Sequence, residues 1–111
     1  MMVRAPKSLR IGGREWRIRF RRLSSLGDAY GLTHYDKGLL DVASGLGSFD
    51  TRDTLLHEAM HAILAQQGRT TFGNEDEELY VRALATGLVG VLQDNPDFAQ
   101  WLIQPISKKA E

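Results

Sequence analysis

Apolar and basic side chains alternate with period two along Glu15-Trp16-Arg17-Ile18-Arg19-Phe20-Arg21, the pattern of a strand with one face on a core and the other in water. Trp16, Ile18 and Phe20 form the inward set; Arg17, Arg19 and Arg21 form the outward set. Gly12-Gly13 reads as the turn of a hairpin whose first strand is Ser8 to Ile11. Leu23 to Ala29 reads as a polar connection. Tyr30 to Tyr35 reads as a strand, Asp36-Lys37-Gly38 as a turn, and Leu39 to Val42 as the returning strand. Three or four antiparallel strands are expected, with the arginine strand at an edge, where charge discourages sheet-to-sheet association. Ala43 to Phe49, rich in Gly and Ser, is expected as a loop.

The period then lengthens. From Asp50 to Gly68, Leu55, Leu56, Ala59, Met60, Ala62, Ile63 and Leu64 recur at helical spacing. Asp50 or Thr51 is expected to cap this helix, with Asp53 in its first turn and Gly68 as its stop. A second helix is expected after Gly73, capped by Asn74, with the acids Glu75 to Glu78 at the positive end of its dipole. Its apolar face runs through Val81, Leu84, Leu88, Val91 and Leu92. Asn95-Pro96 ends it, and Asn95 is expected to cap a short amphipathic helix that has Pro96 in its first turn and carries Phe98, Trp101, Leu102 and Ile103. The expected fold is α+β: one domain over residues 1–111, with a small antiparallel sheet packed on the first helix and a second long helix beside it.

Composition narrows the class. A chain of 111 residues supports one modest core, and no apolar run approaches the ~20 residues that span a membrane. The N-terminal MMVRAPKSLR lacks the apolar centre of a signal peptide, so a cytoplasmic protein is expected. Zero cysteines excludes disulfides and any thiolate metal site. Net charge is zero but uneven: residues 1–22 hold eight basic groups and one acid, the rest six basic and thirteen acidic. A basic front end suggests nucleic acid. The outward arginines carry no aromatic side chains on their face, so weak, non-specific binding is the most expected of them.

Chemistry concentrates in His57-Glu58-Ala59-Met60-His61. On a helix His57 and His61 lie one turn apart on one face, so their imidazoles can converge on one ion. Glu58 is turned about 100° away. It cannot be a ligand with them, but it can reach a water on the metal and take its proton. A catalytic zinc site has three protein ligands and one open position. With no cysteine and only one other, remote histidine, the third ligand must be a carboxylate, and the first turn of the second helix offers Glu75, Asp76, Glu77 and Glu78. Glu77 and Glu78 both fit the face that carries Val81, Leu84, Ala85 and Leu88; Glu75 and Asp76 fit it less well.

Over about residues 31 to 98 the chain resembles the small metallopeptidase-like proteins of phages and prophages related to the ImmA/IrrE minimal gluzincins. The resemblance rests on GLTHYDKGLLDV, TLLHEAMHAIL and EELYVRALATGLVGVLQDNP. It implies a minimal zincin fold, Zn2+ held by His57, His61 and Glu78, and Glu58 as the catalytic base. The activity it implies is hydrolysis of a peptide or protein substrate; the lack of a long apolar run adds the expectation of no membrane partner. Tyr35, Tyr80 and His34 are candidates for a further donor to the developing oxyanion. Two rivals follow from the same residues. One is a binding module in which the metal only staples two helices together. The other is a phage accessory protein that binds nucleic acid through the basic strand.

Overall fold

A computed structural model describes residues 4–68 and 77–105; at 77–79, 81, 82 and 85 it describes the backbone alone. The fold is α+β. Strands β1 (Ser8–Ile11), β2 (Arg14–Arg21), β3 (Gly31–His34) and β4 (Leu39–Ala43) form one sheet, and a short 3-10 turn (Leu23–Leu26) links β2 to β3. Helices α1 (Ser48–Gln66), α2 (Glu77–Asp94) and α3 (Pro96–Ile103) follow. No helix among the described residues is long and apolar enough to cross a membrane.

The strand order is β1-β2-β4-β3. The β1–β2 and β3–β4 pairs are antiparallel, as expected, but β2 and β4 run parallel, with Arg17 opposite Leu39 and Arg21 opposite Ala43. The chain leaves β2, skips one strand position to lay down β3, and turns back to place β4 in the gap. The expected edge position of β2 is therefore corrected: β2 is an inner strand, and its arginines stand in the middle of a sheet face. The reason lies in β4, whose five residues are all buried. A strand covered on both faces and satisfied on both sides takes the centre.

One sheet face carries Leu9, Ile11, Trp16, Ile18, Leu40 and Val42 into the core. They meet Leu55, Ala59, Ala62 and Ile63 of α1, Val91 of α2, and Phe98 and Trp101 of α3. Phe20, of the same alternation, stays 39% exposed at the strand end. At Gly87 a Cβ would overlap Ile63 Cγ2, so α2 crosses α1 closely because this position has no side chain.

The start of α1 differs from expectation. The helix begins at Ser48 with Gly47 as its cap residue and no side-chain cap. Thr51 turns back to donate to the carbonyls of Gly47 (2.9 Å) and Leu46 (3.2 Å), which leaves Asp50 in the first turn rather than at the cap. The buried Arg52 donates from Nε to the Trp101 carbonyl (3.0 Å) and from Nη1 to the Ser48 carbonyl (3.1 Å), with its guanidinium 4.5 Å from the Trp101 ring centroid. It thus satisfies a carbonyl in the last turn of α3 and fastens that helix to α1. Asn95 is the N-cap residue of α3, as expected, but its side chain makes no capping bond: its Oδ1 accepts from the Arg10 amide (2.9 Å), and its Nδ2 donates to the Arg10 carbonyl (3.0 Å) and the Val91 carbonyl (2.7 Å). The expected Asn74 cap lies outside the described residues.

On the other sheet face Asp41 is buried beneath the arginine row. Arg19 donates to it from Nε (2.8 Å) and Nη2 (3.0 Å), and His34 from Nε2 (2.8 Å). Burial pushes the Asp41 carboxyl up, but the hydrogen bonds from Arg19 and His34, with their positive charge, outweigh it and hold the group below its ordinary range. The stabilisation is therefore complete above the unfolded pKa of about 3.9 and is lost as the pH falls through the lower folded value. Asp41→Asn is expected to lower the melting temperature at pH 7 by roughly 5 °C. It should also flatten the loss of stability on acidification below about pH 4; thermal melts of both proteins between pH 2 and 7 measure this.

Candidate metal centre and cleft

The expected histidine pair meets. His57 and His61 lie one turn apart on α1, and their Nε2 atoms are 3.2 Å from each other, with the ring planes at 70°. A tetrahedral zinc with Zn–N of about 2.05 Å would hold two ligand nitrogens about 3.3 Å apart, so this donor pair fits such an ion. The pair borders a hollow of about 130 Å³ lined by His57, Met60, His61, Leu64 and Leu84. Leu84 comes from α2, so the helix expected to supply the third ligand does pass the histidines.

Among the described residues no group of three or more His, Cys, Asp or Glu is close enough to share an ion. The side chains of Glu77 and Glu78 lie outside the described residues, although both begin α2; Glu75 and Asp76 lie outside them altogether.

Glu58 points away from the pair, as its place in the helix requires, and is only 7% exposed. Its Oε1 accepts a 2.6 Å hydrogen bond from Thr33 Oγ1 on β3. Gly31, two residues earlier on the same strand face, brings backbone against the same side chain: a Cβ there would lie 2.9 Å from Glu58 Cγ and Oε2 and 2.8 Å from Thr54 Cγ2. So one carboxylate oxygen is fixed by a hydroxyl while the strand lies against the rest. Beside it opens a cleft of about 300 Å³ lined by Tyr30, Gly31, Asp53, Thr54, His57 and Glu58. This cleft reaches both Glu58 and the exposed His57.

His34, considered above as an oxyanion donor, is corrected by the alternation of β3. Thr33 faces α1, whereas His34 faces the opposite side of the sheet and is spent on Asp41. Tyr35 and Tyr80 do not line the cleft; Tyr30 does. Sequence reasoning missed Tyr30, Gly31 and Thr33. The available signal was the strand's own alternation, which sets a glycine and a threonine, not two large apolar residues, on the side facing the helix.

Compared with protein-family models, curated proteins and solved structures, the chain matches none. The side chains alone carry the functional argument.

Gly31→Ala is expected to force β3 and α1 apart and to cost about 1–3 kcal/mol, read as a lowered denaturation midpoint. Thr33→Ser should keep the Glu58 hydrogen bond and stay near wild type. Thr33→Val should free the carboxylate, visible as a displaced Glu58 side chain in a crystal structure of the variant.

Proposed function

We propose that this chain is a zinc-dependent peptidase in which His57, His61 and Glu78 hold the metal and Glu58 is the general base. The observation that carries this reading is the pair of Nε2 atoms 3.2 Å apart beside a nearly buried carboxylate that opens on a cleft. A metal that only stapled helices together would not need that carboxylate positioned by a second element. When bound, zinc supplies Lewis acidity, acidifying water towards neutral pH and polarising a carbonyl.

The chain's own part is proton handling and positioning. Thr33 occupies Glu58 Oε1, which leaves Oε2 to accept a proton from a water in the cleft. The resulting hydroxide adds to the carbonyl carbon of the scissile bond. Glu58 then returns its proton to the departing amine nitrogen as the C–N bond breaks. Among the described residues β3 pairs only with β4, so its other edge is open to an extended peptide beside the cleft.

Affinity for nucleic acid is a lesser part of the proposal. Arg19 is engaged by Asp41 and Arg10 by Glu15 at 3.5 Å, which leaves Arg17 and Arg21 on that face. Binding to DNA is expected to be weak, independent of sequence and abolished by about 200 mM salt in a titration.

Zinc should be near-stoichiometric in purified protein, and His57→Ala should remove it. Metal content decides this, because a direct imidazole–imidazole hydrogen bond would also give a 3.2 Å separation. Glu58→Gln should keep zinc and melting temperature while turnover on a peptide library falls roughly 10²- to 10⁴-fold. Glu78→Gln should lose zinc and melt earlier. Metal loss in Glu77→Gln instead would move the ligand by one residue. A wild type that binds zinc, cleaves nothing and matches Glu58→Gln would establish the staple.

A further inference from the structure

All three α-helices pack on the sheet face that carries Leu9, Trp16, Ile18, Leu40 and Val42. Among the described residues no α-helix covers the opposite face. The register orders that face into three rows. Arg17 stands beside Leu39 and His34, Arg19 beside Asp41 and Leu32, and Arg21 beside Ala43. Tyr30 completes the last row, since its carbonyl accepts from the Ala43 amide (2.7 Å). Gly31 is turned to α1, where a Cβ would meet Glu58, so alternation gives the Tyr30 side chain to the arginine face although the residue borders the cleft. In each row the β4 residue is buried. Two columns flank the β4 row: arginines about 6.6 Å apart on β2, and Tyr30, Leu32 and His34 on β3, about 10 Å across the sheet.

The face is cationic. Its carboxylates, Glu15 and Asp41, are both spent: Glu15 accepts from Ser8 Oγ (2.7 Å) and pairs with Arg10 (3.5 Å), and Asp41 is held by Arg19 and His34. Arg17 and Arg21 are exposed, and their side chains make no hydrogen bond or ion pair among the described residues. On the other column Tyr30 is 51% and Leu32 39% exposed. The alternation of β2 alone sets no aromatic among its arginines; β3 supplies one because β4 draws both strands into one sheet. Any polyanion is attracted to the arginines, but only one that also offers flat, unpaired apolar groups can use the second column. The bases of a duplex are stacked on one another and closed to it, whereas those of a single strand are free.

We propose that this open face binds single-stranded nucleic acid, with phosphates along Arg17 and Arg21 and a base stacked on Tyr30. The proposal builds on the weak nucleic-acid affinity given above. It is independent of the peptidase reading, because the helix-facing side of β3 borders the cleft and this face is its other side.

The test is fluorescence anisotropy of the full chain at low salt. The labelled probes are oligothymidylate, oligouridylate and a DNA hairpin duplex, each about twelve nucleotides or base pairs long. The single strands are expected to bind at least about fivefold more tightly than the duplex, and the tighter of the two names the sugar. Tyr30→Ala should bring single-strand affinity down to that of the duplex, and Tyr30→Phe should retain the preference. Arg17→Ala and Arg21→Ala should each weaken single-strand binding and lower the slope of log affinity against log salt by roughly 0.7. The three side chains are exposed, so the variants should melt near wild type. Equal affinity for single strand and duplex, or a preference that survives Tyr30→Ala, overturns the single-strand site and leaves the weak general affinity standing. An oligoglutamate that displaces oligothymidylate at equal concentration does the same, since charge alone would then suffice. No binding to any probe overturns both.

Discussion

A strand with every residue buried must have a neighbour on each side and cover on each face, and β4 imposes that requirement on the whole molecule. Its partners are β2 and β3, so β2 is drawn inward and β3 is left at the margin. From the margin, β3 lies against α1 and delivers Thr33 and Gly31 to Glu58. From the inner position, β2 places Arg19 directly over Asp41, the one charged residue of β4, which burial would otherwise penalise. The contact with Glu58 on one sheet face and the ion-paired Asp41 on the other thus have a common origin in the placement of one strand.

What was legible in the sequence was what is local. Alternation in β2 correctly assigned Trp16 and Ile18 to the core, because a face depends only on the strand's own period. It did not reveal β2's neighbours, which depend on where the chain returns. The run Leu39-Leu40-Asp41-Val42-Ala43 did contain a sign of a central strand, since it is apolar on both faces apart from Asp41, as a doubly covered strand is. The histidine pair was legible for the same local reason, being four residues apart on one helix. Thr33 and Glu58 are 25 residues apart, and only the packing of β3 on α1 makes them partners. The cap of α1 went to Gly47 because Thr51, a good cap residue by type, is buried one turn later and bonds backwards to the Gly47 carbonyl.

Helix α1 serves two surfaces at once. Leu55, Ala59, Ala62 and Ile63 belong to the core, while His57 and Glu58 border the cleft. Such a helix cannot roll to optimise one surface without losing the other. Its orientation is held at the N-terminal end by Arg52, whose guanidinium lies on the Trp101 ring and bonds the Trp101 carbonyl. Towards its middle it is held by Thr33, and further on by the close crossing at Gly87. Three separated anchors fix rotation as well as position, which is what a site built from adjacent helix residues needs.

The Asn95 amide meets both backbone groups of Arg10, filling the place on β1 where another strand would bond. With α2 also against β1, the sheet has one open margin among the described residues, that of β3. A sheet with two free margins can pass a chain on each side and grow without limit. A sheet with one can join a second copy only margin to margin, and the pair so formed has none left. Strand pairing through that margin would therefore end at two chains, and the residue that closes the opposite margin belongs to the turn between α2 and α3 rather than to the sheet.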